Sequence, residues 1–295
     1  NFILSCCSTV DLPYDYLQQR EIPVLFYTYF VDGNEYEDDM GRDPEALPRF
    51  YGFLAAEKFA TTSQVNVSTY YNFFQEQLEH GDLLHLAFTS GQSGSVHNAF
   101  SAADLLREKY PERKITIVDT LCSSSGYGML VDHIADMRDQ GCSMEEAEQW
   151  ALENRNKVHH QFFCTDLQHF RRSGRISGAA ATIAAVLDIC PIMRLNDEGR
   201  IIAYDKVRGK KRALRTTVNN MAEHAQNGLE YAGKCFICHS DCPDMALRLK
   251  EAILERFHHI NGDIRICDIG TIIASHCGPG TVAVFFFGDE RPHME

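Results

Sequence analysis

The chain has 295 residues with 28 Lys and Arg against 41 Asp and Glu, a formal charge of −13 with histidine neutral, which excludes a protein that grips nucleic acid through its phosphates. Apolar residues make up 44% and charged residues 23%, enough for a full core and unlike a disordered chain. No run reaches the ~18 consecutive apolar residues of a membrane span, and the longest small-apolar stretch, residues 178–187, is stopped by Asp188, so a soluble chain is expected.

Phe2, Ile3 and Leu4 lead into polar Ser8, Thr9 and Asp11 with no basic segment ahead of them, a pattern that reads as a first buried strand and not as a secretory signal. From there short apolar runs alternate with helix-period segments. Strands are expected at residues 2–5, 24–31, 83–88, 115–118, 162–164, 235–239, 264–266 and 282–287. Helices are expected at 44–59, 68–79, 95–110, 126–140, 143–158, 210–226 and 245–258. This alternation predicts an α/β fold with a mostly parallel sheet covered on both faces. Asp32-Gly33 predicts a hairpin inserted into it, and Ser143-Met144-Glu145-Glu146 predicts a capping box. At roughly 150 residues per domain two domains are expected, with a boundary near Val158 (1–158 and 159–295), where the sequence turns rich in Arg, Lys and Gly. Eleven cysteines, an odd number, cannot all pair within one chain, so mostly free thiols in a reducing cytoplasm are expected.

Four segments carry candidate chemistry. Thr61-Thr62-Ser63-Gln64 places three hydroxyls in a loop between helix patterns; such clusters face a ligand or serve as turn residues. Thr89-Ser90-Gly91-Gln92-Ser93-Gly94-Ser95 joins a strand to a helix start, where free N–H groups and hydroxyls make either an anion cradle or an ordinary capped turn. The same segment is close to the G-x-S-x-G nucleophile elbow, with Asp268 and His276 following in hydrolase order, although Ser95 stands where the elbow has its last glycine. Arg171-Arg172-Ser173-Gly174-Arg175, before a small-residue helix at 179–187, is either a solvated basic loop or a group that balances an anionic head. His276, expected in a Gly-Pro-Gly turn after an apolar strand, is an acid, base or anion partner, or a structural residue. Cys235-Phe236-Ile237-Cys238-His239 fits the pattern for covalent haem attachment, and Cys242 extends it toward a zinc set. On a strand, residues three apart point to opposite faces, so neither metal nor haem is expected there.

In order and spacing these segments resemble the DegV family of bacterial lipid-binding proteins, which includes the fatty-acid-binding subunit of bacterial fatty acid kinase. Ser8-Thr9-Val10-Asp11-Leu12-Pro13 is similar to the family's S-T-A-D-L-P, Thr62-Ser63-Gln64 to T-S-Q, and Thr89–Ser95 to S-S-G-x-S-G-T. Val118-Asp119-Thr120 with Ser125-Gly126, Ser173-Gly174-Arg175-Ile176-Ser177, Cys190-Pro191-Ile192, Gly199-Arg200-Ile201, Lys206-Val207-Arg208-Gly209 and Ser275-His276-Cys277-Gly278-Pro279-Gly280-Thr281 continue the match almost to the end. Cys7 replaces an Asp expected near the ligand mouth, Ser173 a Gly, and Cys190 a Lys.

The resemblance implies two α/β domains, the second a smaller mixed-sheet one. One long-chain fatty acid (palmitate, stearate or oleate) lies buried between them as ligand, and no cofactor is expected. Thr62, Ser63, Ser90, Ser93, Gly94, Arg175 and His276 are then the candidate ligand-binding residues. The family's carboxylate is phosphorylated by a separate ATP-binding kinase subunit, with Arg208 in partner docking, so no catalysis is expected of this chain alone. Transient contact with a membrane surface fits a lipid carrier. Burying about fifteen carbons at ~0.8 kcal/mol each supplies ~12 kcal/mol of gross driving force, while a buried carboxylate needs partners. The residue-level alternatives are a serine hydrolase using Ser93 and His276, and a kinase-independent lipid sensor.

Overall fold

The computed structural model describes residues 2–177 and 188–294, so the expected helix at 179–187 lies outside the described residues. Three sheets organise the chain. β1 (Ile3–Cys7), β2 (Val24–Leu25), β6 (Leu83–Ala87) and β7 (Ile115–Asp119) form an all-parallel sheet in the order β2-β1-β6-β7. Its two central strands are buried almost throughout, as strands covered on both faces must be. The chain leaves β1 toward one edge and β6 toward the other. The crevice beyond the carboxyl ends of β1 and β6 is therefore a topological switch point, where open α/β sheets bind ligands.

β3 (Thr28–Val31), β4 (Asn34–Glu37) and β5 (Ala60–Thr62) form a small antiparallel sheet beside it. Asp32 and Gly33 close the β3–β4 hairpin with φ of 52° and 77°, the pair of positive angles that a two-residue I′ turn requires. The expected single strand at 24–31 is thus split: Phe26 and Tyr27 turn the chain out of the parallel sheet into this one.

The third sheet is mixed and seven-stranded. β8 (Val158–Cys164), β10 (Ile189–Leu195), β11 (Ile201–Arg208), β12 (Phe236–His239), β13 (Arg265–Asp268) and β14 (Thr281–Phe287), with β9 (Ile176–Ser177) at one edge, run β13-β12-β14-β8-β10-β11-β9. Side-chain alternation divides two cores across it. Phe162, Cys238, Ala283 and Phe285 pack with the N-terminal half, whereas Phe163, Ile237, Val282, Val284 and Phe286 pack under the outer helices. Cys238 and Cys235 likewise belong to opposite cores, as the strand argument requires.

The main helices stand close to their expected bounds: α2 (Ala46–Ala55), α3 (Val67–Leu78), α4 (Ser95–Lys109), α5 (Ser124–Asp139), α6 (Met144–Asn154), α8 (Lys210–His224) and α9 (Pro243–Leu254). Ser143 and Glu146 form the reciprocal capping box at α6. That helix ends at Asn154, because Val158 already belongs to the fully buried β8. Three short helices, α1 (Tyr14–Gln19), α7 (Gln168–Ser173) and α10 (Thr271–Cys277), carry too few turns to show a period. His276 consequently sits in the last turn of a helix and not after an apolar strand. All eleven cysteines are free thiols, nine of them buried. Among the described residues no helix is long and apolar enough to cross a membrane.

Candidate functional site

A cavity of about 450 Å³ lies between the switch-point loops and the inner face of the mixed sheet, within the range of small-molecule sites. Phe88 borders it from the N-terminal half, Phe162 and Phe285 from β8 and β14, and Ile272 and Ile273 from α10. Thr62, Ser63, Ser90, Ser93, Gly94, Arg175 and His276, the seven residues singled out as ligand contacts, all line this one cavity. Arg208 does not; it stands exposed at the end of β11.

The polar lining is tied together by contacts between distant segments. Thr62 ends β5, and its Oγ1 lies 2.7 Å from His276 Nε2 on α10. Gly94 faces the Gln64 side chain so closely that a Cβ there would stand 2.6 Å from Gln64 Nε2. Arg175 reaches the loop after β6 by donating to the Gln92 carbonyl at 3.4 Å, and donates to the Ser173 carbonyl at 2.6 Å. Burial, reinforced by the Arg175 charge, lowers His276 to about 4, so its ring is neutral near pH 7. His276 Nδ1 is buried and has no hydrogen-bond partner among the described residues. A neutral imidazole with one nitrogen engaged and the other buried without a partner keeps one unused hydrogen-bonding position.

The switch-point loop is held open by its own hydroxyls. Ser93 Oγ accepts from the Ser95 N–H and donates to Ser95 Oγ, which in turn accepts from the Val65 N–H. Asp119 Oδ1 accepts from the Ser90 N–H. Gly91 meets the second half backbone to backbone: a Cβ there would stand 2.4 Å from the Glu198 carbonyl oxygen. Gly199, at φ +72°, leaves no room for a Cβ against Thr89 Oγ1. These two glycines allow the loop after β6 and the turn before β11 to touch.

The geometry does not assemble the hydrolase alternative. Ser93 is bonded to Ser95 and His276 to Thr62, no acid meets His276 Nδ1 among the described residues, and Asp268 lies 3.5 Å from His239 instead. A nucleophile, base and orienting acid are therefore not in line. Cys7 also differs from expectation. It is absent from the cavity lining and fully buried, 3.5 Å from His85 Nε2. Burial raises its thiol to about 11 and lowers His85 to about 3, so the pair is uncharged and inert.

Sequence reasoning missed several lining residues, among them Gln92, Ser123, His160 and Arg200. His160 belongs to the cavity face because β8 starts at Val158, earlier than expected, so that 160 and 162 share a face. Its Nε2 lies 3.0 Å from the Ser123 nitrogen, and burial holds it well below its usual range. Arg200 was visible only as part of Gly199-Arg200-Ile201.

Comparison with known proteins gives one consistent result. The family model described as "Uncharacterised protein, DegV family" matches residues 7–289. A DegV domain-containing protein of Clostridium perfringens is 37% identical over 292 residues, covering 98% of each chain. The solved structure of a DegV family protein from Thermus thermophilus, described by its fatty acid binding, is 26% identical with a TM-score of 0.85, covering 98% of this chain and 99% of that one. A fatty acid binding DegV family protein from Streptococcus agalactiae is 26% identical with a TM-score of 0.82 over the same shares.

Proposed function

Because the chain belongs to the DegV family, we propose that it binds one long-chain fatty acid in the 450 Å³ cavity and presents the carboxylate to a separate ATP-dependent kinase subunit. The observation that carries this reading is the make-up of the cavity: aromatic and branched walls beside hydroxyl, imidazole and guanidinium groups that line the same space. Apolar wall area supplies the affinity for an acyl chain. The polar cluster offsets the cost of desolvating a carboxylate, which unpartnered would be several kcal/mol.

In this reading Ser63, Ser90 and the Gly94 N–H supply donors, Thr62 donates to His276 Nε2 and so leaves the ring proton on Nδ1, Ser93 shapes the loop through its bonds to Ser95, and Arg175 balances the charge. The exposed position of Arg175 suits a head group that must stay within reach of an incoming phosphoryl group. The proposed step belongs to the partner: a carboxylate oxygen attacks the γ-phosphorus of ATP, the β–γ bond breaks, and acyl phosphate and ADP result. This chain orients the nucleophile and shields the acyl chain. The solved relatives described as fatty acid binding support the ligand class, and Arg208, outside the cavity and solvent-exposed, suits a docking role.

Mass spectrometry of material extracted from the purified protein under denaturing conditions tests the ligand. One fatty acid per chain is expected. Ligand-free protein that shows no thermal shift with palmitate or oleate would overturn the reading.

A further inference from the structure

His159, His224 and Asp289 meet on the outer face of the mixed sheet, away from the cavity. On β8, residues 160 and 162 border the cavity, which leaves 159 on the other face. His224 is the last residue of α8, and Asp289 follows β14 by two residues. The backbone fixes the three together. The Asp289 N–H donates to the His224 carbonyl at 3.1 Å, and the Gln226 N–H to the Phe287 carbonyl at 3.0 Å. Gly288 lets the end of α8 approach the segment leaving β14, since a Cβ there would stand 2.1 Å from the His224 carbonyl oxygen and 2.9 Å from His159 Cδ2.

The side chains then present three ligand atoms within 4.8 Å of one another. His159 Nε2 lies 2.9 Å from Asp289 Oδ1, and His224 Nδ1 lies 3.2 Å from Oδ1 and from Oδ2. Donors bound to one tetrahedral ion at bond lengths of about 2.0–2.1 Å stand about 3.3 Å apart; the two imidazoles are stacked with centroids 5.1 Å apart, so His224 must turn out of this stack to aim its nitrogen at the same ion as His159. His159 also lies 2.9 Å from the Asp289 carbonyl oxygen. Its side chain is 1% exposed, that of His224 19% and that of Asp289 59%. The cluster is closed from inside and open through Asp289, which gives an ion a way in and a place for a water ligand.

We propose that His159, His224 and Asp289 bind a borderline divalent cation of the Zn²⁺ class. Two imidazoles and one carboxylate suit Zn²⁺ and its transition-metal neighbours, whereas Mg²⁺ and Ca²⁺ prefer all-oxygen shells. Bound there, the ion clasps the end of α8 to β8 and to the segment leaving β14.

The test uses the full chain stripped with a chelator, then titrated calorimetrically with ZnCl₂ and followed by visible absorption with CoCl₂. His224→Ala and Asp289→Asn are the informative variants, because both side chains lie toward the surface and leave the buried His159 in place. One Zn²⁺ per wild-type chain, a rise in Tm, and binding weakened in each variant by more than the roughly 10- to 100-fold cost of losing an outer-sphere partner are expected, with the Co²⁺ band lost. Equal Zn²⁺ binding by wild type and both variants, or wild-type affinity for Zn²⁺ no greater than for Mg²⁺, would overturn the proposal and leave the cluster as a hydrogen-bonded bracket.

Discussion

Thr62 and His276 are separated by 214 positions in sequence, yet Thr62 Oγ1 and His276 Nε2 lie 2.7 Å apart. The contact joins β5 of the small antiparallel sheet to α10 and sets the direction of the imidazole in the cavity. Since a hydrogen bond to a charged group contributes about 1.5–3 kcal/mol and Thr62 orients the imidazole that supplies one, Thr62→Val and His276→Gln are each expected to weaken fatty acid binding about 10- to 150-fold. The double variant should lose less than the sum, because each residue positions the other. Displacement of a fluorescent fatty acid measures all three, and unchanged affinity in both single variants would move the carboxylate elsewhere.

Gly91→Ala is expected to destabilise the chain by more than about 2 kcal/mol, since its Cβ would press into the Glu198 and Gly199 backbone, where no flexible side chain can yield. Gly199→Ala adds left-handed backbone strain to a clash with Thr89. Urea midpoints measure both, and a Gly91→Ala midpoint equal to wild type would show that the loop and turn separate freely.

Asp38 gives stability a pH dependence opposite in sign to that of an ordinary surface carboxylate. Burial pushes its carboxyl up to about 6. Asp11 is also raised, by burial and then by the Asp38 charge. A raised carboxyl favours the protonated fold, so this contribution is fully present below the unfolded value near 4 and is lost as pH rises toward 6. Asp38→Asn keeps an acceptor for Thr271 Oγ1, which donates to Asp38 Oδ1 at 3.0 Å in the wild type, without the charge. It is expected to gain about 1–3 kcal/mol at pH 7.5 and nothing below pH 4. A variant less stable than wild type at pH 7.5 would contradict this account.

Arg208→Ala is expected to leave fatty acid affinity unchanged and to lower acyl-phosphate formation when a kinase subunit and ATP are supplied, since Arg208 lies outside the cavity and a charged rim acts mainly on encounter. Equal loss of lipid binding would make it a ligand residue, and unchanged phosphorylation would remove it from docking.

Local patterns in the sequence established the class of fold and pointed to seven residues that the structure gathers around one cavity. Period-3.6 segments and short apolar runs are local signals, and they located the seven longer helices within a few residues. The hairpin at Asp32-Gly33 and the capping box at Ser143 were legible because each depends on residues two or three apart. The seven ligand candidates were legible because the resemblance fixed them as motifs in order, and the tertiary structure gathered them around one cavity. No strand bounds were assigned to β9, β10 and β11, because their pairing with neighbours in the sheet leaves no local signal. Long-range packing decided that His276 turns to Thr62 and not to Ser93, that Cys7 lies beside His85 outside the cavity lining, and that His160 faces into the cavity while His159 faces a different cluster. Each of these depends on where one strand or helix begins and what packs across from it, and a one-residue change of register sends a side chain to the opposite face of a sheet.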